Sequence, residues 1–242
     1  MKFFSVSSSE GALGKNAGCE KAPAFLANLF GVQPQEFDLP KGDIDAQQGQ
    51  ILLQAKKALA SAKGERVAFF GGTHDITFSI FKAFAARSKE AALVVFDAHA
   101  DCDEGLSTVS HEDFIRALVE QKIVKAENVL LFGVRKVFPS EQPFLEQSGV
   151  KVSSSSNFLA EFLKRHKKIY FSFDVDVLDP SVMSATHYLE KGGLMFEPAK
   201  KLVAEVLACE GVSAIDIMEF NPSKASKGDA GALRELFGEH FS

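Results

Sequence analysis

The sequence predicts an α/β fold built on a mostly parallel sheet covered by helices. Short β-rich runs alternate with helical patterns of about 10–15 residues, the order expected when each strand is followed by a crossover helix. The central runs, such as Leu93–Val94–Val95–Phe96, are continuously apolar, as strands buried on both faces are. The chain has 242 residues, of which 46% are hydrophobic, enough to bury a core without metal or disulfide staples.

In chain order, strands are expected at Lys2–Val6, Arg66–Phe70, Ala92–Phe96, Val129–Val134, Lys168–Phe173 and Ser213–Met218. A helix from Pro23 to Phe30 stops at Gly31, a residue type that tolerates the left-handed conformation closing many helices. Gln50 to Lys63 places Leu52, Ala55 and Leu59 near one face and stops at Gly64. Ser156 is the expected cap of a helix running to about His166, and Pro198 starts another ending near Gly211. Loops are expected at residues 7–20, 34–49 and 184–193, which are rich in Gly, Ser, Asp or Pro. No repeat or long linker interrupts the pattern, so residues 1–242 are expected to form a single domain.

Composition narrows the function classes. Lys and Arg number 27 against 32 Asp and Glu, a net charge of −5 that argues against nucleic-acid or membrane-surface partners. The one dense basic run, Lys164–Arg165–His166–Lys167–Lys168, reads as a solvated helix end complementing the helix dipole. Three cysteines, Cys19, Cys102 and Cys209, lie far apart, with no CxxC pair. That spacing points to neither a zinc knuckle nor a disulfide framework. A reducing cytoplasm is the expected location. No leader pattern and no apolar run of roughly 20 residues points to secretion or a membrane span.

Chemistry collects at three strand ends. One strand runs into Gly71–Gly72–Thr73–His74–Asp75, the next into Asp97–Ala98–His99–Ala100–Asp101, a third into Asp174–Val175–Asp176. Ligands of open parallel sheets sit beyond the carboxyl ends of strands. In extended chain residues i, i+2 and i+4 share one side, so Asp97, His99 and Asp101 can point together, as can Asp174 and Asp176. Taken singly, each His or Asp would be a hydrogen-bonded surface residue or a helix cap. Four neighbouring aspartates, however, repel one another unless protonated or bound to a cation. With His74 the set offers two imidazoles and four carboxylates and no thiolate. That donor set suits Mn²⁺, Mg²⁺ or Fe²⁺, with Mn²⁺ favoured. Four carboxylates exceed what one divalent ion usually needs, so a pair of ions is expected.

These segments resemble the arginase/agmatinase (ureohydrolase) family, through GGTHD at 71–75, DAHAD at 97–101, SFDVDVLDP at 172–180, EFNP at 219–222 and GCEKAPAFL at 18–26. The resemblance covers most of the chain and lies closest to the agmatinase-like members. It implies a three-layer α/β/α sandwich, a cluster of two Mn²⁺ ions per chain and a homo-oligomer, trimer or hexamer. One ion would be held by His74, Asp97, Asp101 and Asp174, and the other by Asp97, His99, Asp174 and Asp176. The implied reaction is hydrolysis of a guanidino or amidino C–N bond in a small linear substrate, with urea released from a guanidine. Two ions about 3.5–4 Å apart can acidify a shared water near neutral pH. Asp101 would orient that water. His111, with an ordinary pKa of about 6.5, is the expected proton carrier, and Glu219 the expected bidentate partner of the substrate guanidinium.

Several positions depart from the family pattern. Thr73 and Asp75 flank His74 where Asp and Ser are usual, and Glu112 follows His111 in place of Gly. The segment SATHYLEKGGL at 184–194 puts His187 and Tyr188 at normally small positions, where they would narrow the pocket or contact substrate. Glu190 stands where agmatinase-like members carry Glu, and Asp103 with Glu104 would attract a distal ammonium if not merely solvated. The alternatives are an arginase or a formimidoylglutamase, the latter needing Arg116, Arg135 or Lys191 for substrate carboxylates. Outside that class stand a dinuclear phosphohydrolase, for which no phosphate cradle is visible, and a non-catalytic metal-binding relative.

Overall fold

Alternation of buried strands with amphipathic helices produces one eight-stranded, all-parallel sheet in the computed structural model, which describes residues 1–105 and 107–241. In chain order the elements are β1 (Lys2–Val6), α1 (Ala22–Phe30), β2 (Gln35–Glu36), α2 (Ile44–Ser61), β3 (Val67–Gly71) and α3 (Asp75–Ala85). Next come β4 (Ala92–Phe96), α4 (Phe114–Glu120), β5 (Val129–Phe132), α5 (Gln142–Ser148) and β6 (Lys151–Ser153). The chain closes with α6 (Ser156–Arg165), β7 (Ile169–Asp174), α7 (Phe196–Ala208), β8 (Val212–Met218) and α8 (Lys227–Phe241).

Strand order is β2-β1-β3-β8-β7-β4-β5-β6, and every neighbouring pair is parallel. Period-two alternation divides the strand side chains between two cores. Phe70, Val94, Phe96, Phe171 and Phe173 join α1, α6, α7 and α8 on one face. Phe69, Leu93, Val95 and Tyr170 join α2, α3 and α4 on the other. This is the expected three-layer sandwich, and it places the ends of β3, β4, β7 and β8 side by side at one edge.

Boundaries differ from expectation for local reasons. β5 stops at Phe132 rather than Val134, because Gly133 turns the chain at φ 96°. The second helix starts at Ile44 rather than Gln50: Asp43 caps it, accepting from the Ala46 N–H at 2.9 Å. Half of the expected 34–49 loop is therefore β2 and the first turns of α2. Ser155, not Ser156, caps α6 by accepting from the Phe158 N–H. α7 starts two residues before Pro198, whose missing N–H costs nothing in a first turn. α1 does end on Gly31, at φ 68°. No helix among the described residues is long and apolar enough to cross a membrane.

Candidate metal centre and cavity

Four parallel strands deliver the site. His74 sits at the start of α3, just beyond β3, and Asp97, His99 and Asp101 follow β4. Asp174 ends β7, Asp176 lies in the single turn after it, and Glu219 follows β8. Asp101 and Glu219 both adopt left-handed backbone, at φ 47° and 62°. Such conformations cost energy for residues other than glycine and concentrate where a site fixes a side chain.

The six His and Asp residues converge. His74 Nδ1 lies 3.0 Å from Asp97 Oδ2, 3.1 Å from Asp101 Oδ2 and 3.3 Å from Asp174 Oδ2. His99 Nδ1 lies 3.0 Å from Asp176 Oδ2 and 3.5 Å from Asp97 Oδ1. Donor atoms of His74, Asp97 and Asp101 form one compact group, and those of Asp97, His99 and Asp176 a second, so Asp97 belongs to both.

Backbone amides orient this set. Asp97 Oδ1 accepts from the His99 N–H at 2.6 Å, Asp174 Oδ1 from the Asp176 N–H at 2.8 Å, and Asp176 Oδ1 from the Ala98 N–H at 3.0 Å. In Asp174 and Asp176 the other oxygen, Oδ2, is the one turned towards an imidazole, whereas Asp97 turns Oδ2 towards His74 and Oδ1 towards His99.

His74 is fixed from behind. Ser172 Oγ donates to Asp216 Oδ1 at 2.6 Å, so it serves His74 Nε2, at 2.9 Å, as an acceptor. Tyr170 and Thr77 hydroxyls donate to Asp216 Oδ2 at 2.7 and 2.8 Å. A proton therefore sits on Nε2 and Nδ1 is turned towards the carboxylates, the orientation that an acceptor behind the ring imposes on a histidine that could ligate a metal. Buried His74 Nδ1 makes no hydrogen bond of good geometry despite three oxygens nearby. An imidazole nitrogen left without a hydrogen bond among three carboxylate oxygens, within a compact group of donors, fits a divalent cation.

The electrostatics of these side chains agree. Burial and the neighbouring Asp97 charge push Asp101 up to about 8, and burial with Asp176 and Asp97 raises Asp174. Burial would lower His99, but its bonds to Asp176 and Asp97 push it up to about 12. Without a cation the cluster must hold protons to offset its own repulsion.

Beside the cluster opens a cavity lined also by His111, Glu112, Phe138, Glu141, Tyr188, Glu190 and Glu219. No lysine or arginine among the described residues lines it. Glu112 is paired with Lys15 at 2.7 Å. Burial and the charges of Glu112 and Glu219 push the Tyr188 phenol up to about 12, so it stays neutral. The Tyr188 ring stands 5.5 Å from that of His99 and 6.0 Å from that of His111. His111 Nδ1 lies 3.5 Å from Glu219 Oε1, while its Nε2 is buried without a hydrogen-bond partner.

His187 and Asp103 are not brought to this cavity. His187 Nε2 turns away, 2.7 Å from Asn221 Nδ2 and 3.2 Å from the Ala17 carbonyl. Asp103 takes the Glu112 carbonyl with its N–H and the Glu104 N–H with its carboxylate. Neither direction is visible in a one-dimensional pattern. Two further residues have no sequence signal at all: Glu141, which accepts from the N–H groups of Cys102 and Phe138, and Asn16, which donates to Glu219. Glu141 reaches back to Cys102 and Asn16 forward to Glu219, and no motif marks either.

Comparison with known proteins agrees with this geometry. Residues 29–236 match the model of the arginase family. An agmatinase of Sodalis glossinidius is 29% identical over 230 residues, covering 86% of this chain and 75% of the relative. An agmatinase of Edwardsiella ictaluri is 30% identical over 184 residues, covering 74% of this chain and 60% of its own length. In fold, the formimidoylglutamase of Bacillus subtilis superposes with a TM-score of 0.89 at 17% identity, over 99% of this chain and 85% of that one.

Proposed function

The chain belongs to the arginase family, hydrolases of C–N bonds in linear guanidino compounds, and from that premise we propose that it releases urea from a small guanidino amine of the agmatine type. Two divalent ions, Mn²⁺ first among them, would be held by His74, Asp97, Asp101 and Asp174 and by Asp97, His99, Asp174 and Asp176. Bound there, they would supply Lewis-acid chemistry that lowers the pKa of water towards neutrality.

The chain's own residues divide the remaining work. Glu219 offers a guanidinium two carboxylate oxygens, a bidentate match of charge and shape. Asp101 accepts a hydrogen bond from the attacking water and so orients it. His111, beside Glu219 with Nε2 unpartnered, gives a proton to the leaving amine.

One observation carries the choice of substrate: the cavity wall presents Glu112, Glu141, Glu190 and Glu219 and no cation. Such a wall favours a distal ammonium and repels a carboxylate. Two of the three candidate cations for a carboxylate, the arginines, are held elsewhere. Arg135 donates to the carbonyls of Gly133, Asp176, Val177, Leu178 and Glu190, and Arg116 lies over the Phe144 ring. Among the described residues lining the cavity, no cation offers a partner to the acid groups of an amino acid or of formiminoglutamate.

The test offers Mn²⁺-loaded protein agmatine, arginine, guanidinobutyrate and formiminoglutamate, and measures urea or formamide. Agmatine is expected to give the highest kcat/KM. Preference for formiminoglutamate would overturn the substrate class, and no turnover on any of the four would overturn the hydrolase reading.

A further inference from the structure

The N-terminal segment, residues 7–20, is packed onto the site rather than hanging beside it. The Ser8 carbonyl accepts from the Thr73 N–H at 3.2 Å, and the Gly11 carbonyl from the His111 N–H at 3.2 Å. Lys15 grips both oxygens of Glu112, at 2.7 and 2.8 Å, and Asn221 Nδ2 donates to the Ala17 carbonyl at 3.1 Å. Between these anchors Asn16 is fully buried.

Asn16 Nδ2 donates to Glu219 Oε2 at 2.6 Å, and the same nitrogen lies 3.5 Å from His111 Nδ1. The other Glu219 oxygen, Oε1, accepts from the His74 N–H at 2.9 Å. These two short bonds, one per oxygen and from distant parts of the chain, fix the plane of the carboxylate; His111 Nδ1 at 3.5 Å from Oε1 and the Cys19 thiol at 3.9 Å from Oε2 are longer contacts. Each oxygen has two acceptor directions and only one short bond, so a guanidinium fork competes with the longer contacts alone. Asn16 does this as a neutral donor and leaves the Glu219 charge undiminished. Its own Oδ1 is buried with no partner, which costs stability. A residue kept at such a cost is accounted for by what Nδ2 does rather than by folding.

We propose that Asn16 is a positioning residue that aims Glu219 at the guanidinium of the substrate, so that the N-terminal segment completes the binding site. This rests on Glu219 being the guanidinium partner, as proposed above. Asn16→Leu keeps the side-chain shape, deletes the Nδ2 donor and also removes the orphaned acceptor. It also leaves buried Glu219 Oε2 without its donor, so the thermal midpoint is expected to fall modestly with the fold retained.

In the urea-release assay with agmatine, N16L is expected to raise KM about tenfold, the scale of a lost hydrogen bond to a charged group, with kcat much less changed. In a Glu219→Gln background the same substitution should alter KM less than about twofold, because groups acting as one unit are not additive. An unchanged KM in N16L, or an equal effect in both backgrounds, would overturn the proposal. If wild-type protein released no urea, the reaction reading would fail by itself. The Asn16 proposal would then be decided by calorimetric titration with guanidinium chloride. Weaker binding by both N16L and E219Q supports it. Unchanged binding by N16L, or no binding by the wild type, overturns it.

Discussion

Burial alone would lower the His111 imidazole, but its bond to Glu219 and the charges of Glu219, Asp101 and Asp75 outweigh burial and raise it. As the acid for a leaving amine, His111 must be protonated. The upward shift keeps the proton to higher pH than an ordinary imidazole would, so activity should fall as pH rises through the raised pKa. Asn at this position should cut kcat about 10²-fold or more and flatten the alkaline limb of the pH–rate profile, with bound metal unchanged. An unaltered limb in His111→Asn would assign the proton to another group. At this scale the sequence is most legible in which donors come together. Asp97, His99 and Asp101 do come to one place, though not through the extended chain that the spacing suggests: the backbone bends at Ala98–His99 and is left-handed at Asp101, and Asp176 lies in a helical turn after Asp174. It is least legible for His187 and Asp103, whose side-chain directions are set by Asn221, Ala17 and Glu104.

At the level of elements, the buried strands are plain in the sequence because a short, continuously apolar run between turn signals fits best between two packed layers. β2 and β6 are not, being short edge strands of two and three residues without an apolar run. α3 is hidden because it is buried almost all round, so no polar face marks its period, and α8 because three glycines interrupt its pattern. Glycines also show how the elements meet. A Cβ on Gly72, just after β3, would collide with the Ser8 carbonyl, whereas one on Gly49, on the exposed side of α2, would meet nothing. Gly72→Ala should therefore cost about 1–3 kcal/mol through overpacking and loosen the N-terminal segment over the site. Gly49→Ala should instead stabilise by about 0.5–1 kcal/mol through helix entropy. Urea unfolding of the two variants checks the contrast. Equal effects would mean that the segment is not seated on Gly72.

For the whole molecule, the parallel sheet does the assembling: residues from positions 74 to 219 meet only because β3, β8, β7 and β4 lie adjacent and run the same way. The sheet and its two helical layers follow from the alternation of elements, and the ligand set from the motifs. The N-terminal contribution does not, because Asn16 meets Glu219 across 203 positions and nothing local announces a contact of that range. The central claim is that the convergent His and Asp atoms hold two divalent ions, with Asp97 common to both. The direct measurement is metal content per chain, by elemental analysis after Mn²⁺ loading and desalting, for the wild type and Asp97→Ala. Two ions per chain in the wild type and essentially none in D97A are predicted. Retention of two ions by folded D97A would contradict the shared-ligand cluster.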